Sequence, residues 1–179
     1  ADPDPEAKYA ELTGEGGRFR FNRLLKQRVI YYNCDTLAFS GPDDEIVWPS
    51  DSNWMDYELE WACVVGKPGE NVTKEKAREH IFGYTIFNDW SARDAQAWEY
   101  QPLGPFQAKA AATSISPWSV CRAALEPFRK MTPEREVPLL PHLRDAGPAL
   151  HDIELSVTLQ PHGGRAATIA RANYATMYY

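Results

Sequence analysis

Short β-type segments separated by turn-forming residues recur from residue 28 onward, and they limit the folds open to this chain. Residues 28–32, 56–65, 81–87 and 152–159 are rich in β-branched and aromatic side chains or alternate between apolar and polar ones. The helical patterns, at residues 74–80 and 91–100, are short. No regular strand–helix–strand alternation occurs. We therefore expect a mixed, β-rich roll or sandwich with short helices rather than a Rossmann-type sheet.

Size and composition place the chain among globular proteins. It has 179 residues, 44% of them hydrophobic, and a net charge of -6. The hydrophobic share excludes wholesale disorder, and no apolar run approaches the roughly 20 residues of a membrane-spanning helix. The acidic balance argues against a nucleic-acid partner. We predict an N-terminal tail or remnant over residues 1–27 and one domain over residues 28–179.

The cysteines favour a reducing, cytoplasmic location. Cys34, Cys63 and Cys121 are far apart and form no CxxC pair, so neither a zinc site nor a redox motif is indicated. Cys63 and Cys121 stand among apolar residues and are expected to be buried thiols. The acidic, proline-rich start of the chain lacks the character of a signal peptide.

The strand at residues 56–61 presents acidic side chains on one face. Because side chains alternate along a strand, Asp56, Glu58 and Glu60 share a face, opposite Tyr57 and Trp61. One interpretation is an edge strand with a solvated acidic face. The other is a site for a hard cation such as Mg²⁺ or Ca²⁺, held by two carboxylates and a third ligand from elsewhere.

Asp89 is the candidate third ligand, because it ends an apolar run where a strand would deliver it to a pocket rim. The alternative is a plain Asn-Asp turn. In the helical pattern that follows, Arg93, Gln96 and Tyr100 fall on one face and could bind an anionic, oxygen-rich ligand. A solvated helix face is the competing interpretation.

Lys109 stands in a run of alanines, which is typical of a surface helix, although Gly104 and Pro105 just before it mark a loop from which a lysine could reach a pocket. The four histidines pair with no serine or cysteine in a recognisable triad. Nucleophilic acyl-enzyme chemistry is therefore unsupported.

Five ordered blocks resemble the fumarylacetoacetate hydrolase family: YELE (57–60), HIFGY (80–84), NDWSARD (88–94), WEYQPLGPF (98–106) and ISPW (115–118). The resemblance extends from about residue 28 to the end. It implies a fumarylacetoacetate-hydrolase-like fold that lacks its C-terminal part here. It also implies a metal-dependent hydrolase that cleaves a carbon–carbon bond in a 1,3-diketo acid, an activity of tyrosine and phenylalanine catabolism, in a homodimer.

The resemblance also implies roles for particular residues. Glu58, Glu60 and Asp89 match positions that bind Mg²⁺ or Ca²⁺, and Lys109 and Thr113 match positions that complete the metal surroundings or orient substrate. Arg93, Gln96 and Tyr100 match substrate-contacting positions. Arg93, Gln96 and Lys109 would stabilise the tetrahedral oxyanion.

Two observations leave alternatives open. Members of the family that this chain most resembles carry an upstream aspartate, tyrosine and histidine base, and residues 1–27 contain no histidine. Related members decarboxylate, isomerise or hydrate keto acids at the same kind of metal site, so the fold does not decide the reaction. A catalytically silent binding or oligomerisation module is the hypothesis from a different class.

Overall fold

The computed structural model describes residues 29, 31–135, 137–145 and 147–177, so the predicted tail over residues 1–27 lies outside the described residues. The elements, in chain order, are strands β1 (Phe39–Ser40), β2 (Met55–Asp56) and β3 (Leu59–Val65), helix α1 (Lys74–Ala77), strands β4 (Ile81–Asp89) and β5 (Ser91–Ala92), helix α2 (Arg93–Leu103), strands β6 (Thr113–Ile115) and β7 (Val120–Cys121), helix α3 (Arg122–Leu125), and strands β8 (Arg129–Lys130), β9 (Leu150–His151), β10 (Glu154–Leu159) and β11 (Ala167–Asn173). Short 3₁₀ turns cover Arg78–His80, Gln107–Lys109, Glu126–Phe128, Pro141–Leu143 and Tyr174–Thr176.

The chain divides into two compact units. Of the smaller unit, the structure describes residues 29, 135 and 137–144, which include the turn Pro141–Leu143 and a hydrogen bond from Arg144 Nε to the carbonyl oxygen of Leu139 at 2.9 Å. The larger unit comprises residues 31–134 and 145–179 and holds all eleven strands of the described residues. The predicted division between residues 27 and 28 stays a prediction.

A five-stranded sheet positions the candidate site. Its order is β1-β6-β4-β3, with β7 also paired to β4. Strands β3 and β4 are antiparallel, from Leu59 opposite Asn88 to Val65 opposite Ile81. The far end of β4 pairs with β6, where Asp89 lies opposite Thr113. The central strand β4 therefore delivers Asp89 between two neighbouring strands.

Three two-stranded ribbons complete the described architecture: β10 with β11, β2 with β5, and β8 with β9. The predicted strand over residues 152–159 is largely confirmed as β10, and the hairpin turns at residues 162–164. The β-rich class with short helices is confirmed. Within the described residues, no helix is both long enough and apolar enough to cross a membrane.

Several sequence predictions need correction. The strand predicted over residues 56–65 begins only at Leu59, because Met55 and Asp56 pair separately with β5. Residues 113–121 hold two short strands, β6 and β7, that pair with different parts of β4. Cys63 and Cys121 are exposed, so the expectation of buried thiols was wrong. They lie on the edge strand β3 and the two-residue strand β7, where the sheet leaves side chains uncovered.

Three of the four largest side chains that are fully buried in the described residues are polar. Leu150, Thr113, Asp89 and Ser91 are the largest side chains that are fully buried. Full burial of an aspartate is unusual unless the carboxylate is paired, because an isolated charge is costly to remove from water. The buried carboxylate of Asp89 is therefore expected to have charged or hydrogen-bonding partners close by.

Candidate metal and substrate site

Three carboxylates converge at the end of strand β4. Ligand oxygens of Glu58, Glu60 and Asp89 all lie within 4.8 Å of one another. Glu58 and Glu60 flank the first residue of β3, and the β3–β4 register places Asn88 opposite Leu59, so Asp89 arrives beside them. The main-chain N–H of Asp89 donates to the carbonyl oxygen of Glu58 at 3.2 Å, which fixes the approach.

Lys109 inserts its ammonium group into this acidic cluster. Its Nζ lies 2.6 Å from Glu58 Oε2 and 3.1 Å from Asp89 Oδ2, and it donates to Ser91 Oγ at 2.6 Å. The side chain is only 3% exposed. The interpretation of Lys109 as a surface lysine is wrong, because the 3₁₀ turn Gln107–Lys109 directs the lysine inward.

Helix α2 supplies a second cation. Arg93, its first residue, donates from Nε to Asp56 at 2.9 Å and from Nη1 to Glu58 Oε1 at 2.6 Å. Nη1 also donates to Gln96 Oε1 at 2.8 Å. That contact turns the carbonyl of Gln96 toward Arg93 and leaves its NH₂ group able to donate elsewhere.

The electrostatics of the cluster follow from burial and from these cations. Burial alone would raise the pKa of Glu58, but hydrogen bonds from Lys109 and Arg93 outweigh it and lower that pKa. Burial raises the pKa of Asp89, and the charge of Lys109 only partly opposes this. Burial and the charge of Glu58 raise the pKa of Glu60. The two carboxyl groups with raised pKa values are the ones that a further cation would stabilise.

Two buried oxygens at the site have no hydrogen-bond partner among the residues that the structure describes. They are Asp89 Oδ1 and Thr113 Oγ1, from residues that lie opposite each other on β4 and β6. Unpaired buried oxygens are uncommon and costly, and an absent ion is one explanation for them. Carboxylate and hydroxyl oxygens are the ligand types that Mg²⁺ and Ca²⁺ prefer. The residues present therefore fit a hard divalent cation.

The structure thus brings most of the predicted site residues together: Glu58, Glu60, Asp89, Arg93, Gln96, Lys109 and Thr113. Tyr100 lies on α2, one helical turn beyond Gln96, and is partly exposed.

Sequence reasoning missed two contributors. The hydroxyl of Tyr32 donates to Asp89 Oδ2, across a sequence separation that leaves no local signal. Ser91 opens the helical pattern predicted over residues 91–100, but α2 begins at Arg93. Ser91 Oγ instead accepts from Lys109 and donates to the carbonyl oxygen of Asp89. Asp56 was placed on the acidic face by alternation, and its part as a partner of Arg93 emerged only from the structure.

The fold and this arrangement define a class of protein: a β-rich domain whose acidic cluster, with two cations beside it, suits a hard metal ion and an anionic ligand. The sequence matches the family model of the fumarylacetoacetate (FAA) hydrolase C-terminal domain over residues 8–179. The chain belongs to the fumarylacetoacetate hydrolase family.

Curated relatives agree with this assignment. The chain is 50% identical over 129 residues to the fumarylacetoacetase of Bos taurus, which covers 70% of this chain and 31% of the relative. It is 46% identical over 133 residues to the fumarylacetoacetase of Arabidopsis thaliana, which covers 72% and 31%. This chain thus spans about a third of the length of these relatives. Among solved structures, Cg1458 matches with a TM-score of 0.57 and 26% identity, over 79% of this chain and 46% of that one.

Proposed function

We propose that this chain supplies the metal and substrate site of a hydrolase that cleaves a carbon–carbon bond in a 1,3-diketo acid such as fumarylacetoacetate, giving fumarate and acetoacetate. The observation that carries the proposal is the convergence of Glu58, Glu60 and Asp89 within 4.8 Å, with Lys109 and Arg93 bonded to the same cluster. A divalent ion bound at this cluster would add its charge to those of Lys109 and Arg93, and the site could then accept a negatively charged, oxygen-rich substrate.

The carboxylates and Thr113 would hold the metal. Glu58, Glu60 and Asp89 would be ligands of Mg²⁺ or Ca²⁺, and the partnerless oxygens of Asp89 and Thr113 support this assignment. When bound, the ion would act as a Lewis acid on the diketone oxygens. Lys109, whose ammonium cannot ligate a metal, would offset the excess negative charge beside it.

Arg93, Gln96 and Lys109 would stabilise the charge that develops on the attacked carbonyl oxygen. Arg93 uses Nε and Nη1 for Asp56, Glu58 and Gln96, which leaves Nη2 for an oxyanion. Gln96, with its carbonyl held by Arg93, would donate from its NH₂ group. Tyr100, one turn further along α2, would contact the part of the substrate remote from the reacting carbon.

The proposal extends to the assembly and location of the protein. We infer a homodimer in the cytoplasm, both from the family resemblance. Analytical ultracentrifugation tests the homodimer, and fractionation of the source cells tests the cytoplasmic location. A monomer at micromolar concentration would contradict the homodimer.

The central experiment measures products. The protein is incubated with a 1,3-diketo acid, with added Mg²⁺ or Ca²⁺ or with EDTA, and the products are identified by NMR. Two carboxylic acids formed only with the divalent ion support the hydrolase. Release of CO₂, or a rearranged product of unchanged mass, would instead indicate the decarboxylase or isomerase activities of the family. Ion binding without turnover would indicate the catalytically silent module.

A further inference from the structure

The loop that precedes Lys109 is held by one carboxylate. Glu99, on helix α2, accepts three main-chain hydrogen bonds: from Phe106 N at 2.6 Å, from Gln107 N at 3.1 Å and from Ala108 N at 2.9 Å. Oε1 takes the first and third, and Oε2 takes the second. One side chain thereby binds three consecutive residues of the loop.

These three N–H groups lie where the 3₁₀ turn Gln107–Lys109 begins. The first N–H groups of a helical turn have no acceptor within the turn and need one from outside. A charged acceptor makes hydrogen bonds about twice as strong as a neutral one. Glu99 is therefore the external acceptor for the start of the turn that carries Lys109.

The position of this turn determines which groups the ammonium of Lys109 can reach. Lys109 has a flexible four-carbon stem, so its buried position depends on where its main chain is anchored. Ala108, next to it, is fully buried, and the ammonium of Lys109 contacts Glu58, Asp89 and Ser91. Displacement of the turn would withdraw the ammonium from all three acceptors at once.

The same helix also carries Arg93 and Gln96. Helix α2 thus places one cation directly, through Arg93, and anchors the loop of the other through Glu99. The two cations contact opposite oxygens of one carboxylate, since Arg93 bonds to Glu58 Oε1 and Lys109 to Glu58 Oε2. Residues of one helix, Arg93 and Glu99, consequently support both cations.

We propose that Glu99 is a positioning residue that holds Lys109 in the acidic cluster by fixing the turn Gln107–Lys109. Its effect on positioning is independent of the reaction. Its effect on catalysis rests on the proposed function.

The positioning is tested by the chemical accessibility of Lys109. The lysines are methylated with formaldehyde and a borane reductant, and the rate at each lysine is followed by mass spectrometry. In Glu99→Ala we expect the rate at Lys109 to rise several-fold while the other lysines are unchanged. Glu154→Ala, which removes an exposed glutamate that pairs only with Arg171 among the described ion pairs, should leave the rate at Lys109 as in the parent.

Glu99→Gln provides a graded version that disturbs folding less. Its amide oxygen can still accept from Phe106 and Ala108, but its NH₂ group would face the N–H of Gln107. We expect an intermediate rate at Lys109 with little change in Tm. If Glu99→Ala does not fold, the methylation rate of Lys109 in Glu99→Gln tests the proposal in its place. A parental Lys109 rate in a folded Glu99 variant would overturn the proposal.

The catalytic consequence is tested by a double-mutant cycle on turnover of the diketo acid. We expect Glu99→Ala to lower kcat about 10- to 100-fold, as loss of a supporting partner typically does. In a Lys109→Met background the same change should have little further effect, because Glu99 acts through Lys109. Fully additive losses would overturn this role. A parent without turnover would instead contradict the proposed function and leave the methylation result valid.

Discussion

The ammonium nitrogen of Lys109 lies 2.6 Å from Oε2 of Glu58, with the lysine side chain only 3% exposed. Asp89 Oδ2 is a second carboxylate contact, at 3.1 Å. One buried cation thus balances part of the charge of three carboxylates that would otherwise repel one another. A divalent ion would neutralise the remaining negative charge.

The acidic cluster should bind a divalent ion, and Glu60→Gln should weaken that binding. Saturation at about 100 times Kd would add about 2.7 kcal/mol to the free energy of unfolding. For a chain of this size that corresponds to a rise in Tm of roughly 5–10 °C. Differential scanning calorimetry with and without Mg²⁺ or Mn²⁺ measures it. Glu154→Gln, away from the cluster, should keep the full rise, and an equal rise in Glu60→Gln would refute the assignment of Glu60.

Lys109→Met should make stability depend more strongly on the metal. Without the ion, the variant leaves the buried Asp89 and the partly exposed Glu58 with less compensation. Breaking a buried pair, such as that of Lys109 with Asp89, typically costs about 3–5 kcal/mol. Mg²⁺ should recover part of that loss. The Tm difference between ion-loaded and ion-free protein should therefore be larger in the variant than in the parent. Equal differences would mean that Lys109 and the ion do not share the same carboxylates.

Thr113→Val should separate stability from metal affinity. The Thr113 hydroxyl is buried without a hydrogen-bond partner, and such a group costs about 1–3 kcal/mol of desolvation. Its isosteric replacement should leave the ion-free protein at least as stable as the parent and should weaken the binding of Mg²⁺. Isothermal titration and thermal unfolding check the two effects. Unchanged ion affinity would exclude Thr113 from the metal surroundings.

Gln96→Ala should lower kcat and kcat/KM together in the hydrolysis of a diketo acid. Gln96 turns its carbonyl to Arg93 at 2.8 Å, so its NH₂ group is oriented to donate to charge that develops on the substrate. Loss of one such donor typically costs about 10²–10³ in kcat. Steady-state kinetics distinguish stabilisation of the transition state from binding of the ground state. A change in KM alone would show that Gln96 binds only the ground state.

His151 should make the protein less stable in mild acid. Its ring is buried, stacks on Tyr174 at 6.1 Å and meets the edge of Tyr84 at 5.6 Å between centroids. Within the described part of the chain, Nδ1 has no hydrogen-bond partner. Burial lowers the pKa of His151, the charge of Arg78 lowers it further, and Glu126 partly opposes both.

The direction of this change in stability with pH follows from proton uptake. Below about pH 6.5 the unfolded chain binds a proton at this histidine that the folded chain does not, so the free energy of unfolding falls as the pH falls toward the lowered folded pKa. His151→Phe keeps the ring and should reduce the loss of stability between pH 7 and 5.5 in urea titrations. His162→Gln, in an exposed turn, is the matched control. A parental pH dependence in His151→Phe would contradict this prediction.

Local sequence pattern determined which side chains could act together within one element. Alternation placed Asp56, Glu58 and Glu60 on a common face, and helical spacing grouped Arg93 with Gln96. The apolar run before Asp89 correctly predicted a strand, β4, that ends at this residue. The helical grouping succeeded because the direction of a side chain along a helix depends only on backbone geometry. Asp56, which lies outside β3, meets Glu58 through Arg93 rather than along one strand. The family blocks then supplied the expectation of a metal.

Tertiary structure decided how the elements meet. The β3–β4 register brought Asp89 to Glu58, and the β4–β6 register placed Thr113 opposite Asp89. The contact of Tyr32 with Asp89 and the burial of Lys109 were invisible locally, and the alanines around Lys109 indicated the opposite. Strand register is set by hydrogen bonds between segments far apart in the sequence, and the loop before Lys109 is anchored by Glu99 of the preceding helix. No periodicity within a segment encodes either kind of contact.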